Sequence, residues 1–480
     1  MPTSKFSHQI LMDFETSGTD QFKDQILEVS LRVISLDSGL EVDSFQACCR
    51  SESFKIPSPT ALFVNNYQIN DLTLKQHPLV MADALFSFIK QYPNSEVIIF
   101  NSNFDFSFSY QAFFQRFKSD PYCLKTDGRS IICLMELVRA IEATACSTSI
   151  QVPLVEGVKS FKQEDICTAS GIYYSAHRAD SDVMAMQKLL SLIEKNHHEY
   201  MEKARFFSKK KNAIDFIYSR SFFVAPVGFR RRYSVRCLVP LSLCEKQTNL
   251  LAADIGQYTS ADFQNLTSTP ASDVSRKYLI EPEPHYPIVE IPLNRSKIFF
   301  DESFYQASQF GRRIGKEKLM QRAATLFKDA ELQDYAQRIH HFKKLRLNAK
   351  SENNLEESLF DYFPNQDEIK FVTALERIPI EKKYDSLINE WGHFKNNRFH
   401  KLARRFYLDA HPEKCPETIV SRYNDWRRDV LFGVGNKNFR TFLNARNEIE
   451  LLKNRYPNSL DRIQEIENYL SFRESEIEIA

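Results

Sequence analysis

Two rhythms of apolar and polar residues alternate along the first part of this chain. The run Gln9-Ile-Leu-Met-Asp-Phe-Glu15, the segments Gln25 to Leu36 and Val42 to Arg50, and the unbroken apolar stretch Val97 to Phe100 have the length and composition of strands. Between and after them, Leu79 to Gln91, Ser130 to Cys146 and Val183 to Ile193 place apolar residues at the spacing of helices packed on a sheet. Residues 1–192 therefore read as an α/β domain. From Phe222 to about Phe300 short β-rich runs such as Ser234 to Pro240 and Pro287 to Pro292 are separated by polar loops, and from residue 355 onward the pattern is helical and heavily charged. The expected division is 1–192, 199–347 and 355–480, with the polar, aperiodic segment Leu347 to Leu355 as the linker between the last two.

Composition narrows the class without choosing a function. The chain has 480 residues, 43% of them hydrophobic, and a formal net charge of +1, so it builds sizeable cores and does not coat nucleic acid indiscriminately. Nine cysteines lie scattered without a Cys-x-x-Cys pair, which argues against a zinc site and a disulfide framework and for a reducing compartment, the cytoplasm. The first residues lack a basic segment followed by an apolar core, and no run approaches 18 apolar residues, so neither secretion nor membrane insertion is expected. Positive charge is local. Between Lys203 and Arg236 ten basic residues face one acidic residue, Asp215, with eight aromatic rings interleaved, a composition suited to tracking phosphates and stacking on bases.

Four acidic residues and one histidine carry the candidate chemistry. Asp13 and Glu15 alternate on a strand and so share one face, about 7 Å apart, and the polar segment Thr16-Ser-Gly-Thr19 ends that strand beside them. Asp105 follows the Val97–Phe100 strand and the turn Asn101-Ser-Asn103, which places it in the first turn of a helix over the same sheet edge. Asp182 belongs to the first turns of the next amphipathic helix. On one regular helix His177 would lie about 140° away from Asp182, so it is expected on irregular chain before that helix. Phosphodiester cleavage uses such a set: carboxylates hold two divalent cations and a base activates water.

Asp-Phe-Glu-Thr, Phe-Asn-Ser-Asn-Phe-Asp and His-Arg-Ala-Asp-Ser-Asp resemble the three motifs of the DEDDh exonucleases, a superfamily with a ribonuclease H-like fold. Within it the chain is similar to the exodeoxyribonuclease I family. Pro57 to Ala61, Asp120 to Tyr122, Leu137 to Ala140, Ser160 to Lys162 and Ala169 to Ile172 match its nuclease domain. Ser221 to Gly228, Ser358 to Pro364 and Trp426 to Arg428 match its later domains. The resemblance implies a nuclease domain, an SH3-like domain extended by helices, and a helical C-terminal domain. It makes Asp13, Glu15, Asp105 and Asp182 the metal ligands, with Asp105 completing the second site, and His177 the general base. Tyr122, Arg139 and Lys162 fall where the family contacts its strand, together with Glu15 and His177. Lys162 stands where the family has arginine, an aromatic contact shortly after Tyr122 is missing, and the second motif is one residue shorter.

The resemblance implies a 3′→5′ exonuclease releasing 5′-mononucleotides from single-stranded DNA, with two Mg²⁺ ions, or Mn²⁺ in their place, and a role in DNA repair. Its expected partners are single-stranded DNA and the acidic C-terminal tail of the single-stranded DNA-binding protein, and a monomer is expected. An RNA or proofreading exonuclease on the same scaffold, or a catalytically silent nucleic-acid-binding protein, remain as alternatives at this level.

Overall fold

The computed structural model describes residues 6–65, 67–145, 149–229, 232–280, 287–351, 366–378, 382, 405–406, 408–433 and 438–479. Arg230, Arg231, the block Ser358 to Pro364 and most of the basic run between Lys395 and Arg405 lie outside them.

Strands β1 (His8–Thr16), β2 (Ile26–Ser35) and β3 (Glu41–Cys48) are followed by helix α1 (Pro78–Lys90), β4 (Ser95–Ile99), α2 (Ser102–Gln115), β5 (Ser130–Cys133), α3 (Leu134–Thr144), α4 (Gln163–Ala169) and α5 (Ala179–Asn196). The strands form one sheet in the order β3-β2-β1-β4-β5; β1 runs antiparallel to β2 and parallel to β4. Strand alternation sorts the two faces. Leu11, Ile98 and Ile132 pack against Leu137, Val138, Val183 and Met186 of α3 and α5, whereas Ile10, Met12, Val97 and Ile99 pack against Met81, Leu85, Phe108 and Phe113 of α1 and α2. The odd-numbered face of β1 is thus the one covered by α5, and Asp13 and Glu15 continue it past Leu11.

A separate curled antiparallel sheet follows, with spatial order Ile288–Pro292, Asn249–Asp254, Arg232–Leu243, Phe223–Phe229. The last helices, Glu417–Phe432, Phe442–Arg455 and Leu460–Ile479, return to the first sheet's surroundings, where Leu431, Ile449, Ile463 and Ile466 pack with Leu27, Ile56 and Leu62. Arg440 reaches across to Asp24 at 2.6 Å and to the Ile56 carbonyl at 2.8 Å. No helix among the described residues is long and apolar enough to cross a membrane.

Three expectations need correction. Ser130 to Cys133 is an edge strand rather than the start of a helix; a four-residue apolar run fits either element, and pairing with β4 decides it. The helix Ala330–Ser351 continues through the first half of the expected linker, past residue 347, although that stretch lacks apolar periodicity; residues 352–355 lie outside the described set. The basic, aromatic region from Lys203 to Arg236 is in large part structural. Phe207, Phe222 and Phe223 are buried, Arg205 is spent on Glu96 and Glu202, Arg236 pairs with Asp254, and Arg220 lies over Phe216. Lys209 and Lys211 stay exposed.

Candidate active site

At the carboxyl end of β1, Asp13 and Glu15 meet Asp182 from the first turn of α5, and one ligand oxygen from each lies within 4.8 Å of the others. The local fold explains the meeting. Asp13 and Glu15 project from the face that α5 covers, and α5 begins where β1 ends and β2 starts, so its first turn overhangs the strand terminus. Asp105 enters from the other side, in the first turn of α2 and 4% exposed. Asn101 stands at the N-cap of that helix without making a side-chain capping bond.

The electrostatics are those of a crowded anionic site. Burial is the main cause that raises the Asp13 carboxyl well above the ordinary range, and the charges of Asp105, Glu15 and Asp182 add to it. Glu15 is pushed up to about 9, first by burial and then by Asp182, Glu28 and Asp105, with Arg178 opposing. Asp105 rises to about 7 through burial, although the backbone N–H groups of Asp105 itself and Phe14 hydrogen-bond to it. Its Oδ1 is buried without a hydrogen-bond partner. Asp182 is raised by burial and partly compensated by the Arg178 N–H, which donates to Oδ2 at 3.1 Å.

An orphaned, buried carboxylate oxygen beside three converging carboxylates fits divalent cations, since a buried charge without a partner is costly. The donors are all oxygen, which suits hard ions such as Mg²⁺ or Mn²⁺.

His177 lies on irregular chain two residues before α5, as its spacing from Asp182 required, and its backbone is left-handed with φ of 66°. That conformation costs a non-glycine residue about 1–2 kcal/mol, and such strain gathers at functional sites. Its side chain is 43% exposed, and Nε2 stands 3.0 Å from Glu164 Oε2.

The other expected contact residues are arranged less simply. Tyr122 is half-buried with its ring 4.5 Å from that of Tyr110. Lys125, in the stretch where the sequence lacks an aromatic residue, holds its ammonium 4.0 Å over the Phe106 ring. Arg139 is engaged within the protein, 2.8 Å from Glu136 and stacked over Phe161. Lys162 is exposed and donates to Glu164 Oε1 at 3.2 Å.

Sequence reading missed a supporting layer. Gln163 donates to both the carbonyl and Oδ1 of Asp182, at 2.9 and 3.1 Å. Glu28, opposite Glu15 in the β1–β2 register, holds Arg178 at 3.3 Å. Gln163 and Glu164 adjoin Lys162 in a motif already singled out, but nothing in one sequence marks Glu28, whose role comes only from strand pairing.

Residues 10–190 match the family model described as exonuclease (RNase T). No curated protein matches the sequence significantly. Among solved structures, the exonuclease I of Methylocaldum szegediense aligns with a TM-score of 0.83 at 17% identity, over 98% of this chain and 99% of that one. Escherichia coli exonuclease I in complex with a dA16 oligonucleotide aligns at 0.81 and 17% identity, over 98% and 100%. A structure described as a complex of exonuclease I with the SSB C-terminus aligns at 0.81 and 17%, also over 98% and 100%. Residues 10–190 are thus similar to the exonuclease family, in a chain whose fold matches that of exonuclease I over 98% of its length.

Proposed function

We propose that this protein is a metal-dependent 3′→5′ exonuclease that degrades single-stranded DNA to 5′-mononucleotides. The observation that carries the reading is the convergence of Asp13, Glu15 and Asp182 within 4.8 Å, with the unpartnered Asp105 oxygen beside them. Asp13, Glu15 and Asp182 hold the catalytic cation in this reading, and Asp105 completes a second site. Bound divalent cations supply charge stabilisation to the phosphodiester and acidify water. His177 takes the proton of the attacking water, and its partial exposure leaves the ring room to meet a strand end. Strand choice is supported by the exonuclease I structures solved with oligonucleotides, such as the dA16 complex.

Metal-dependent release of mononucleotides is the direct test, with single-stranded DNA, duplex DNA and RNA compared beside an Asp13→Ala control. Faster hydrolysis of RNA, or mononucleotides released equally well by the control, would remove this reading.

Lys162, exposed beside the site, serves as a phosphate contact in the same reading. Lys162→Ala should weaken strand binding evenly across sequences and reduce the slope of log K against log salt by about 1. An unchanged slope would take Lys162 out of the interface.

The acidic tail of a single-stranded DNA-binding protein is a further proposed partner, on the strength of the exonuclease I complex with that peptide. Basic helices in the last domain suit an acidic peptide, and of these the run Lys395 to Arg405 lies largely outside the described residues. Fluorescence anisotropy with a labelled tail peptide tests the partnership, and no binding at low salt ends it.

A further inference from the structure

The first turn of α4 offers two successive side chains to the two halves of the site. Gln163 grips Asp182 through its carbonyl and Oδ1. Glu164 grips His177: its Oε2 lies 3.0 Å from Nε2 of the imidazole, while its Oε1 accepts from the Lys162 ammonium at 3.2 Å. We infer that Glu164 is the positioning residue of the general base, fixing the imidazole's tautomer and orientation and stabilising the cation that forms when the base takes a proton. The inference rests on the reading of His177 as that base.

The chemistry follows from the contact. A carboxylate facing Nε2 favours the tautomer with the proton on Nε2, so the lone pair is left on Nδ1. When Nδ1 accepts the proton of the attacking water, the O–H electron pair stays with the oxygen that bonds to phosphorus, and the bond from phosphorus to the 3′ oxygen of the preceding nucleotide breaks, that oxygen leaving with its electron pair. The imidazolium then faces a fixed negative charge. A histidine on irregular, left-handed chain has little else to orient it, so a partner on a neighbouring helix matters more here than for a ring packed in a core.

Two other roles fit less well. Glu164 is outside the group of carboxylates whose oxygens converge, so metal binding does not explain it. A stability role is small as well: the side chains of the pair are 43% and 31% exposed, and ion pairs in that setting contribute only about 0–1 kcal/mol. Removing Glu164 should therefore change rate without unfolding the protein. Lys162 shares the same carboxylate, so a phosphate that draws Lys162 away would leave Glu164 wholly to His177.

A double-mutant cycle on the full chain with single-stranded DNA and Mg²⁺ tests the inference. Glu164→Gln should lower kcat about 10-fold or more, in line with losing the partner of a functional histidine, while KM changes by less than about 2-fold and the melting temperature stays put. In the His177→Ala background the same substitution should have almost no further effect, because a residue acting through another shows no separate loss once that other is gone. Losses that multiply in the double variant, or a Glu164→Gln protein with the parental kcat, would overturn the role given to Glu164. If His177→Ala itself leaves kcat unchanged, the reading of His177 as base fails instead, and the two failures are told apart by that single variant.

Discussion

His177→Ala is expected to lower turnover of single-stranded DNA by about 10²–10⁴-fold, the range that accompanies loss of a general base. Strand binding and cation binding should survive it. The reason lies in where the ring stands. His177 is on the segment before α5, its side chain 43% exposed, and it contributes no oxygen to the converging carboxylates. Removing it therefore leaves the proposed metal ligands intact, and the left-handed backbone gains no relief, because alanine tolerates that conformation no better than histidine. Asp182→Asn should behave differently, weakening cation binding together with catalysis. Single-turnover rates and oligonucleotide dissociation constants for both variants make the comparison. A His177→Ala protein that cleaves at the parental rate would show that another group activates water.

The second large effect concerns the carboxylate cluster itself and runs through both activity and stability. Asp13→Asn should abolish measurable hydrolysis, a larger loss than the roughly 10–100-fold typical of residues that only support a ligand. In the absence of divalent cations the same variant should be more stable than the parent, by about 0.5–2 kcal/mol, the size common for single stabilising substitutions. The cause is the crowding that raises Asp13, Glu15 and Asp105 above ordinary carboxyl values.

This cluster also fixes the sign of the pH dependence. When pH rises through the ordinary carboxyl range the unfolded chain gives up its protons first, while the folded cluster keeps them until about 7 for Asp105 and about 9 for Glu15. The native state then binds more protons than the unfolded one, so stability from this source is whole in acid and declines as pH rises toward those values. Added Mg²⁺ should reverse the decline, and its stabilising shift should be larger at pH 8 than at pH 6. Thermal unfolding with and without Mg²⁺ at the two pH values reads this directly. A metal-free parent that gains stability between pH 6 and pH 8, with Asp13→Asn melting below it, would contradict the account.

Much of this was legible in the residues because it depends on local geometry. The two-residue spacing of Asp13 and Glu15 within a strand puts them on one face wherever that strand lies, and the observed face is the one that continues Leu11. The five-residue gap between His177 and Asp182 could not be helical if both served one centre, and His177 indeed precedes the helix. Val97–Phe100, too apolar to be anything but buried, became an inner strand of the sheet.

Other features were decided by contacts between distant segments, which no local pattern encodes. Ser130–Cys133 is a strand because β4 offers it a parallel partner, and two cations between Lys203 and Arg236, Arg205 and Arg236 themselves, are taken up by Glu96 and Asp254. The resemblance assigns Arg139 to the strand contact, and in the structure Glu136 and Phe161 engage it. Glu164 is the sharpest case. Its neighbour Lys162 was singled out by motif, but only the packing of α4 against the segment before α5 brings its carboxylate to 3.0 Å from His177. The residues of the proposed site were thus legible in the sequence, since strand and helix periods fix which side chains share a face. Their partners came from tertiary structure, since pairing energies depend on segments that are neighbours only once the chain has folded.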